Sequence, residues 1–393
     1  MSLGATGHSM HILFHRSTPW DSEIQCSTKT YASLFHSFGH SVTYLQDLIH
    51  PGHYLLRRGY YHTWKQGARF EDGVWVASGC SWLPAFKKIS RYHPTLAAWN
   101  YRGCRPSLAS IVERSGQGTP DIIWSTKPGS AELKSIFPGS RLVMNVVDYY
   151  PAFHGPAIQR LERHDYQMAD HVFVIGHTLR RYLEEDLGIE ASKITVLGQG
   201  VDIQRYQQPC PEPADLQDIP GPRAVWVGVL KKADQELMET AAAELAVQGG
   251  SLVLIGPPGD WEQSSMSRHD NIQFLGPKPT AEIPAYLLNC QIGLMLYDRQ
   301  RQDVYRGQNP LKLYEYLAAG LYVLSTPHDE FEFLKPPIEV VQSSQQVRKT
   351  LAAIPADRSS HRDRMQAFAK QLSWESVGRR AESILQSLTE ARP

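Results

Sequence analysis

Apolar residues along this chain fall into short continuous runs separated by helical periods, the pattern of strands buried on both faces between covering helices. In the first half the runs are residues 10–14, 41–45, 121–125, 141–147, 171–175 and 193–197, and helices are predicted over 28–38, closed by Gly39, over 157–168 and over 178–187. In the second half the runs are 224–227, 251–255, 272–275, 292–297, 321–325 and 338–341, with helices over 234–246, 280–288 and 309–320. From residue 357 onward the chain reads as helical. Alternation of strand and helix predicts an α/β protein built on parallel sheets.

A polar, proline-rich stretch around Cys210, PCPEPADLQDIPGP, interrupts that alternation and reads as a linker between two α/β halves. A length of 393 residues agrees with two domains. The expected division is a first Rossmann-like domain over 10–207, a linker over 208–222, a second Rossmann-like domain over 223–372 and a terminal helix over 373–393. Residues before Met10 read as a leader outside the fold.

Charge narrows the function classes. Forty basic and forty acidic side chains cancel, so no nucleic-acid signature follows. The five cysteines are odd in number and widely spaced, with no C-x-x-C pair, which argues against a disulfide framework or a zinc site and fits a reducing compartment. No run approaches a membrane span and no secretory signal is evident, so the expected location is cytoplasmic, with peripheral contact on the inner face of the plasma membrane as a variant. That variant rests on residues 54–105, where nine basic residues stand against two acidic ones among interleaved aromatics. One reading is a solvated face over buried rings. The other is contact with an anionic membrane or a diphosphate-bearing lipid acceptor.

The stretch NPLKLYEYLAAG, residues 309–320, frames a helix with Pro310 in its first turn and Gly320 as its left-handed stop. Lys312 and Glu315 lie three apart on one edge of it. The plain reading is an exposed ion pair of small worth. The sharper reading uses position: in doubly wound sheets ligands sit beyond the carboxyl ends of strands, where helices begin, and a cation there meets a phosphate while a carboxylate one turn on accepts ribose hydroxyls. The turn Gly228-Val229-Leu230-Lys231-Lys232 follows a strand in the same way, offering backbone amides and a lysine to phosphate oxygens. Asp148 closes an apolar strand in RLVMNVVDYYP, so its carboxylate is a candidate general base, or else a helix cap. The loop HRSTPWDSEIQC leaves the first strand at its carboxyl end and supplies Trp20 and Asp21, with Tyr149, as candidate acceptor contacts. No D-x-D pair and no P-loop occur, and His36 with His40 lacks a third metal ligand.

The K-x-x-E-Y-x-A-x-G pattern in 312–320 resembles the nucleotide-sugar-binding segment of GT-B glycosyltransferases related to glycosyltransferase family four. The resemblance implies two facing Rossmann-like domains with a cleft between them and a C-terminal helix, LSWESVGRRAESIL, crossing back to the first domain. It implies a nucleoside-diphosphate sugar as substrate, a UDP-sugar favoured, with no cofactor and no metal. Donor contacts carried over are Gly228, Leu230, Lys231 or Lys232, Gly276, Tyr297, Leu311, Lys312 and Glu315. Retaining members carry a glutamate where this chain has Gly307, so that sugar contact is absent or replaced. Residues 141–151, GQGVD at 198–202 and 293–320 are similar to the xanthan-pathway β-glucuronosyltransferase family, which implies an inverting reaction with Asp148 as base and UDP-glucuronate among the donors. The acceptor is then a glycan or lipid-linked hydroxyl in polysaccharide or glycolipid biosynthesis. A nucleotide-sugar 2-epimerase and a non-catalytic sugar-nucleotide-binding protein share the fold and remain as alternatives.

Overall fold

The structure is a computed structural model that describes residues 9–22, 26–50, 67–81, 94–259, 261, 265–305, 307–355 and 359–390. It divides into two compact units, one running to Gly198 and resuming at Glu375, the other spanning Gln199–Trp374.

The first unit is one sheet of eight strands: β1 (His11–Ser17), β2 (Ser41–Gln46), β3 (Arg69–Glu71), β4 (Val74–Ala77), β5 (Ile122–Ser125), β6 (Arg141–Val146), β7 (His171–Val174) and β8 (Ile194–Val196). Their order is β3-β4-β2-β1-β5-β6-β7-β8, and every pairing is parallel except β3 with β4. Ile12, Leu13 and Phe14 in β1 and Ile122, Ile123 and Trp124 in β5 are wholly buried, as expected of central strands covered on both faces. The final helix, Trp374–Glu390, contributes its residues from Glu375 onward to this unit. There Glu382 meets the Nε2 of His40 at 2.9 Å and Arg379 stacks on the ring of Phe38 at 3.7 Å.

The second unit is a six-stranded parallel sheet: β9 (Arg223–Val227), β10 (Ser251–Ile255), β11 (Ile272–Gly276), β12 (Ile292–Met295), β13 (Tyr322–Ser325) and β14 (Glu339–Val340). The order β11-β10-β9-β12-β13-β14 is doubly wound, with its switch point between β9 and β12. These two strands pair over only Ala224 with Ile292 and Val225 with Gly293, whereas β9 and β10 pair over five residues. A crevice therefore opens between β9 and β12 at their carboxyl ends.

Three expectations change. The hairpin of β3 and β4 was not anticipated, although Asp72-Gly73, both at positive φ, is a strong turn signal for it. The helix expected over 178–187 is a short α-helix, His177–Arg181, continued by a π turn, Tyr182–Asp186. The stretch 208–222 is packed rather than free: Leu216 and Ile219 are buried in the second unit's core and Asp215 holds Lys278 and the Tyr286 hydroxyl, so the units divide at 198/199 instead. Two parts of the basic, aromatic segment over 54–105 lie outside the described residues, namely 54–66 and 82–93. Among the described residues no helix is long and apolar enough to cross a membrane, and no group of metal-ligating side chains occurs.

Candidate active site

The helix Leu311–Ala319 begins beside the crevice and ends on Gly320 at φ 75°. It seats closely because β12 carries Gly293, where a Cβ would come within 2.5 Å of the Tyr316 ring. The Tyr316 hydroxyl in turn accepts the Val227 N–H at 2.9 Å, at the end of β9. Lys312, one turn earlier, is thereby aimed into the crevice. Its Nζ lies 3.5 Å from the centroid of the buried Trp226 ring and 4.8 Å from that of Tyr297. It is also 3.5 Å from where a Cβ on Gly228 would be, so glycine leaves the approach to the ammonium open.

Burial, reinforced by the neighbouring Lys232 ammonium, pushes Lys312 well below the ordinary lysine range. Glu315 is pushed up to about 7 by burial, against the pull of Arg205, Lys312 and the Tyr206 hydroxyl. Arg205 and Tyr206 come from the short turn Ile203–Tyr206, and Arg205 is fixed by donating to the Thr280 carbonyl at 2.6 Å. The crevice thus offers a cation over two aromatic faces and, one helical turn away, a carboxylate flanked by a guanidinium.

The phosphate-loop expectation is corrected in part. The N–H of Gly228 donates to Ile255, that of Leu230 to Pro257 and that of Lys232 to Val229, so these amides are already used within the chain. Leu230 is a wholly buried core side chain, not a ligand contact. The exposed side chains of Lys231 and Lys232 are what the loop can offer. Gly228, Gly256 and Gly276 end β9, β10 and β11 at positive φ, and Gly228 and Gly276 are bridged through residues 255–256 by backbone hydrogen bonds. Tyr297 lies just beyond β12, buried against Trp226, Tyr305 and His328, and Leu311 is half-buried at the start of the helix.

In the first unit Asp148 stands two residues past the end of β6, half-buried at the carboxyl edge of the sheet. Beside it Tyr149 packs edge-on against Tyr182 at 4.8 Å. Trp20 is corrected: it is 1% exposed, packed edge-on against Tyr44 at 4.9 Å, with its backbone N–H donating to Gln46, so it is core and not an acceptor contact. Asp21 is exposed and paired with Arg69 at 3.0 Å. The two nitrogens of His40 are committed to Met10 and Glu382, which leaves no metal site with His36. Residues that sequence reasoning missed are Trp226, Arg205, Tyr206 and His328. The signal for His328 was its place directly after a strand, in STPHDE.

Two doubly wound sheets, the second with a cation and a carboxylate at its switch point, define the class: this is the GT-B fold, in a chain related to glycosyltransferase family four. Residues 53–205 match the family described as Glycosyltransferase Family 4, and residues 231–386 match Glycosyl transferase-like. Among characterised sequences the chain is similar to "Putative teichuronic acid biosynthesis glycosyltransferase TuaH" of Bacillus subtilis, 25% identical over 259 residues, 61% of this chain. The match spans 64% of that relative's length. Among solved structures, Anabaena Alr3699/HepE in complex with UDP and glucose superposes with a TM-score of 0.68 at 14% identity, covering 96% of this chain and all of that one. Sucrose-phosphate synthase from Thermosynechococcus elongatus superposes with a TM-score of 0.67 at 14% identity over 98% of this chain and all of that one.

Proposed function

We propose that this chain transfers a glycosyl group from a nucleoside-diphosphate sugar, with a UDP-sugar favoured, to a hydroxyl of a glycan or lipid-linked acceptor in polysaccharide or glycolipid assembly. The observation that carries the reading is Lys312, held over Trp226 at the mouth of the β9–β12 crevice with Glu315 one turn behind it. In this reading Lys312 and Lys232 face the diphosphate, and Glu315 accepts the two ribose hydroxyls. The name of TuaH and the UDP and glucose bound to HepE agree with it.

The reaction assigned is inverting. The acceptor oxygen attacks the anomeric carbon, the bond from that carbon to the diphosphate oxygen breaks, and Asp148 takes the acceptor proton. The leaving diphosphate is stabilised by the two lysine cations, so the reading needs no metal. UDP-glucuronate belongs to the candidate donors through the resemblance of 293–320.

The test is a thermal-shift panel of UDP, GDP, ADP, dTDP and their sugars in EDTA, since a ligand that binds only the folded state raises Tm. One nucleoside diphosphate and its sugar should stabilise the chain selectively. Asp148→Asn should keep that shift and lose transfer by at least about 100-fold. Transfer at the parent rate in that variant would remove Asp148 from the mechanism.

A further inference from the structure

Next to the Lys312 crevice, beyond β12 and β13, lies a recess of about 100 Å³ lined by Tyr297, Arg299, Tyr305, Thr326, His328 and Asp329. His328 is 8% exposed and lines this recess, with neither ring nitrogen engaged by a protein partner among the described residues. A buried imidazole without partners is costly in a fold where such groups are ordinarily satisfied. Its ring stands edge-on to Tyr297 at 5.0 Å, while the Lys312 ammonium lies 4.8 Å from the same Tyr297 ring. The recess and the phosphate-facing cation are therefore separated by one aromatic side chain.

The charge of the lining says what fits. Arg299 is committed to Asp234 at 2.7 Å and to Glu236 at 2.8 Å, so its charge is balanced inside the fold. Among the described residues, the remaining formal charges on the lining are Asp298 and the exposed Asp329, whose Oδ2 accepts the Gly307 N–H at 3.4 Å. Acceptor oxygens, a neutral imidazole and two tyrosine faces suit an uncharged group rich in hydroxyls. They do not suit a second carboxylate.

The geometry points to this recess as the glycosyl subsite of the donor, with His328 as its polar anchor and an uncharged sugar as its occupant. The inference rests on the nucleotide-sugar reading above and narrows it, setting the uronate aside. His328 presents one nitrogen as donor and the other as acceptor to adjacent sugar hydroxyls. Burial and the Lys312 charge hold the ring neutral, down to about 4, so both roles persist at neutral pH.

The experiment titrates UDP, UDP-glucose and UDP-glucuronate by calorimetry into the full chain, into His328→Ala and into His328→Gln, after checking that each variant melts cooperatively. The parent should bind UDP-glucose about tenfold more tightly than UDP, and more tightly than UDP-glucuronate. His328→Ala should keep the UDP affinity and lose the increment from glucose. His328→Gln, whose amide both donates and accepts, should recover part of it. A parent that binds UDP but gains nothing from the sugar overturns the inference and leaves the nucleotide reading standing. So does a loss in His328→Ala that is equal for UDP and UDP-glucose, or a parent that prefers UDP-glucuronate. A parent that binds none of the three overturns both.

Discussion

Lys312 carries the electrostatic tension of the second unit. Its ammonium is held against two ring faces, close to Lys232, and its pKa lies well below that of a free lysine. A diphosphate supplies the missing opposite charge and raises that pKa again, so binding takes up a proton above the depressed value and affinity falls as pH rises. Glu315 works with the opposite sign. Its carboxyl is pushed up to about 7, and ribose hydroxyls donating to it favour the ionised form, so binding near or below neutrality releases a proton. At about pH 8.5 the carboxylate is already ionised and the lysine contributes alone. Calorimetry with UDP at that pH, in buffers of different ionisation enthalpy, should show net proton uptake in the parent and none in Lys312→Gln. Identical heats in all buffers for the parent would refute the assignment. At this scale the site was legible where polar residues interrupt an apolar helix, as Lys312 and Glu315 do between Pro310 and Gly320. Trp226 was hidden because an aromatic residue within a strand reads as core. Trp20 failed the other way: it sits in a loop by local pattern, and its burial comes from packing against Tyr44, far along the chain, with Lys29 over its ring.

The strand β12, the helix Leu311–Ala319 and the strand β13 form the element that presents the site, and Gly293 sets how closely the helix approaches the sheet. A methyl group there would press within 2.5 Å of the Tyr316 ring and displace the hydroxyl that accepts the Val227 N–H. The helix would have to lift, carrying Lys312 off Trp226. Gly293→Ala should therefore cost about 1–3 kcal/mol of stability. It should also weaken UDP binding by about tenfold or more although no ligand-facing atom is altered. Urea unfolding and a UDP titration of the same variant check the two effects. A variant that loses stability but binds UDP like the parent would uncouple the helix seat from the site. The strand and helix frame of this element could be read from its hydrophobic runs and stop signals. The close approach at Gly293 could not, because one glycine in a strand does not say which ring it faces. The hairpin of β3 and β4 was legible in principle from Asp72-Gly73 but was masked by the basic and aromatic texture around it.

The chain crosses between its two units twice, after Gly198 and after Trp374, so the second unit is one uninterrupted segment. Its two ends meet: Val201 donates to the Leu372 carbonyl at 2.9 Å and Trp374 to the Val201 carbonyl at 3.2 Å. Gly200 permits the contact, since a Cβ there would lie 2.8 Å from the Trp374 backbone. Composition located the change of unit only to within a few tens of residues, because prolines mark irregular chain whether it is free or packed. Burial decides the boundary. Tyr206, Leu216 and Ile219 are 3%, 0% and 7% exposed within the second unit's core, although they lie before or inside the expected linker. A fragment of residues 199–374 should consequently fold by itself, melt cooperatively and bind UDP within about threefold of the full chain, because Lys312, Glu315, Arg205, Tyr206 and Trp226 all belong to it. A fragment starting at residue 223 would lack three large buried side chains, each worth about 2–5 kcal/mol, as well as the Arg205 and Tyr206 that flank Glu315. It should fail to fold or bind UDP far more weakly. Equal stability and affinity in the two fragments would return the boundary to the proline-rich stretch and remove Arg205 and Tyr206 from the site. Loss of UDP binding in a folded 199–374 fragment would instead mean that the nucleotide site draws on residues of the first unit.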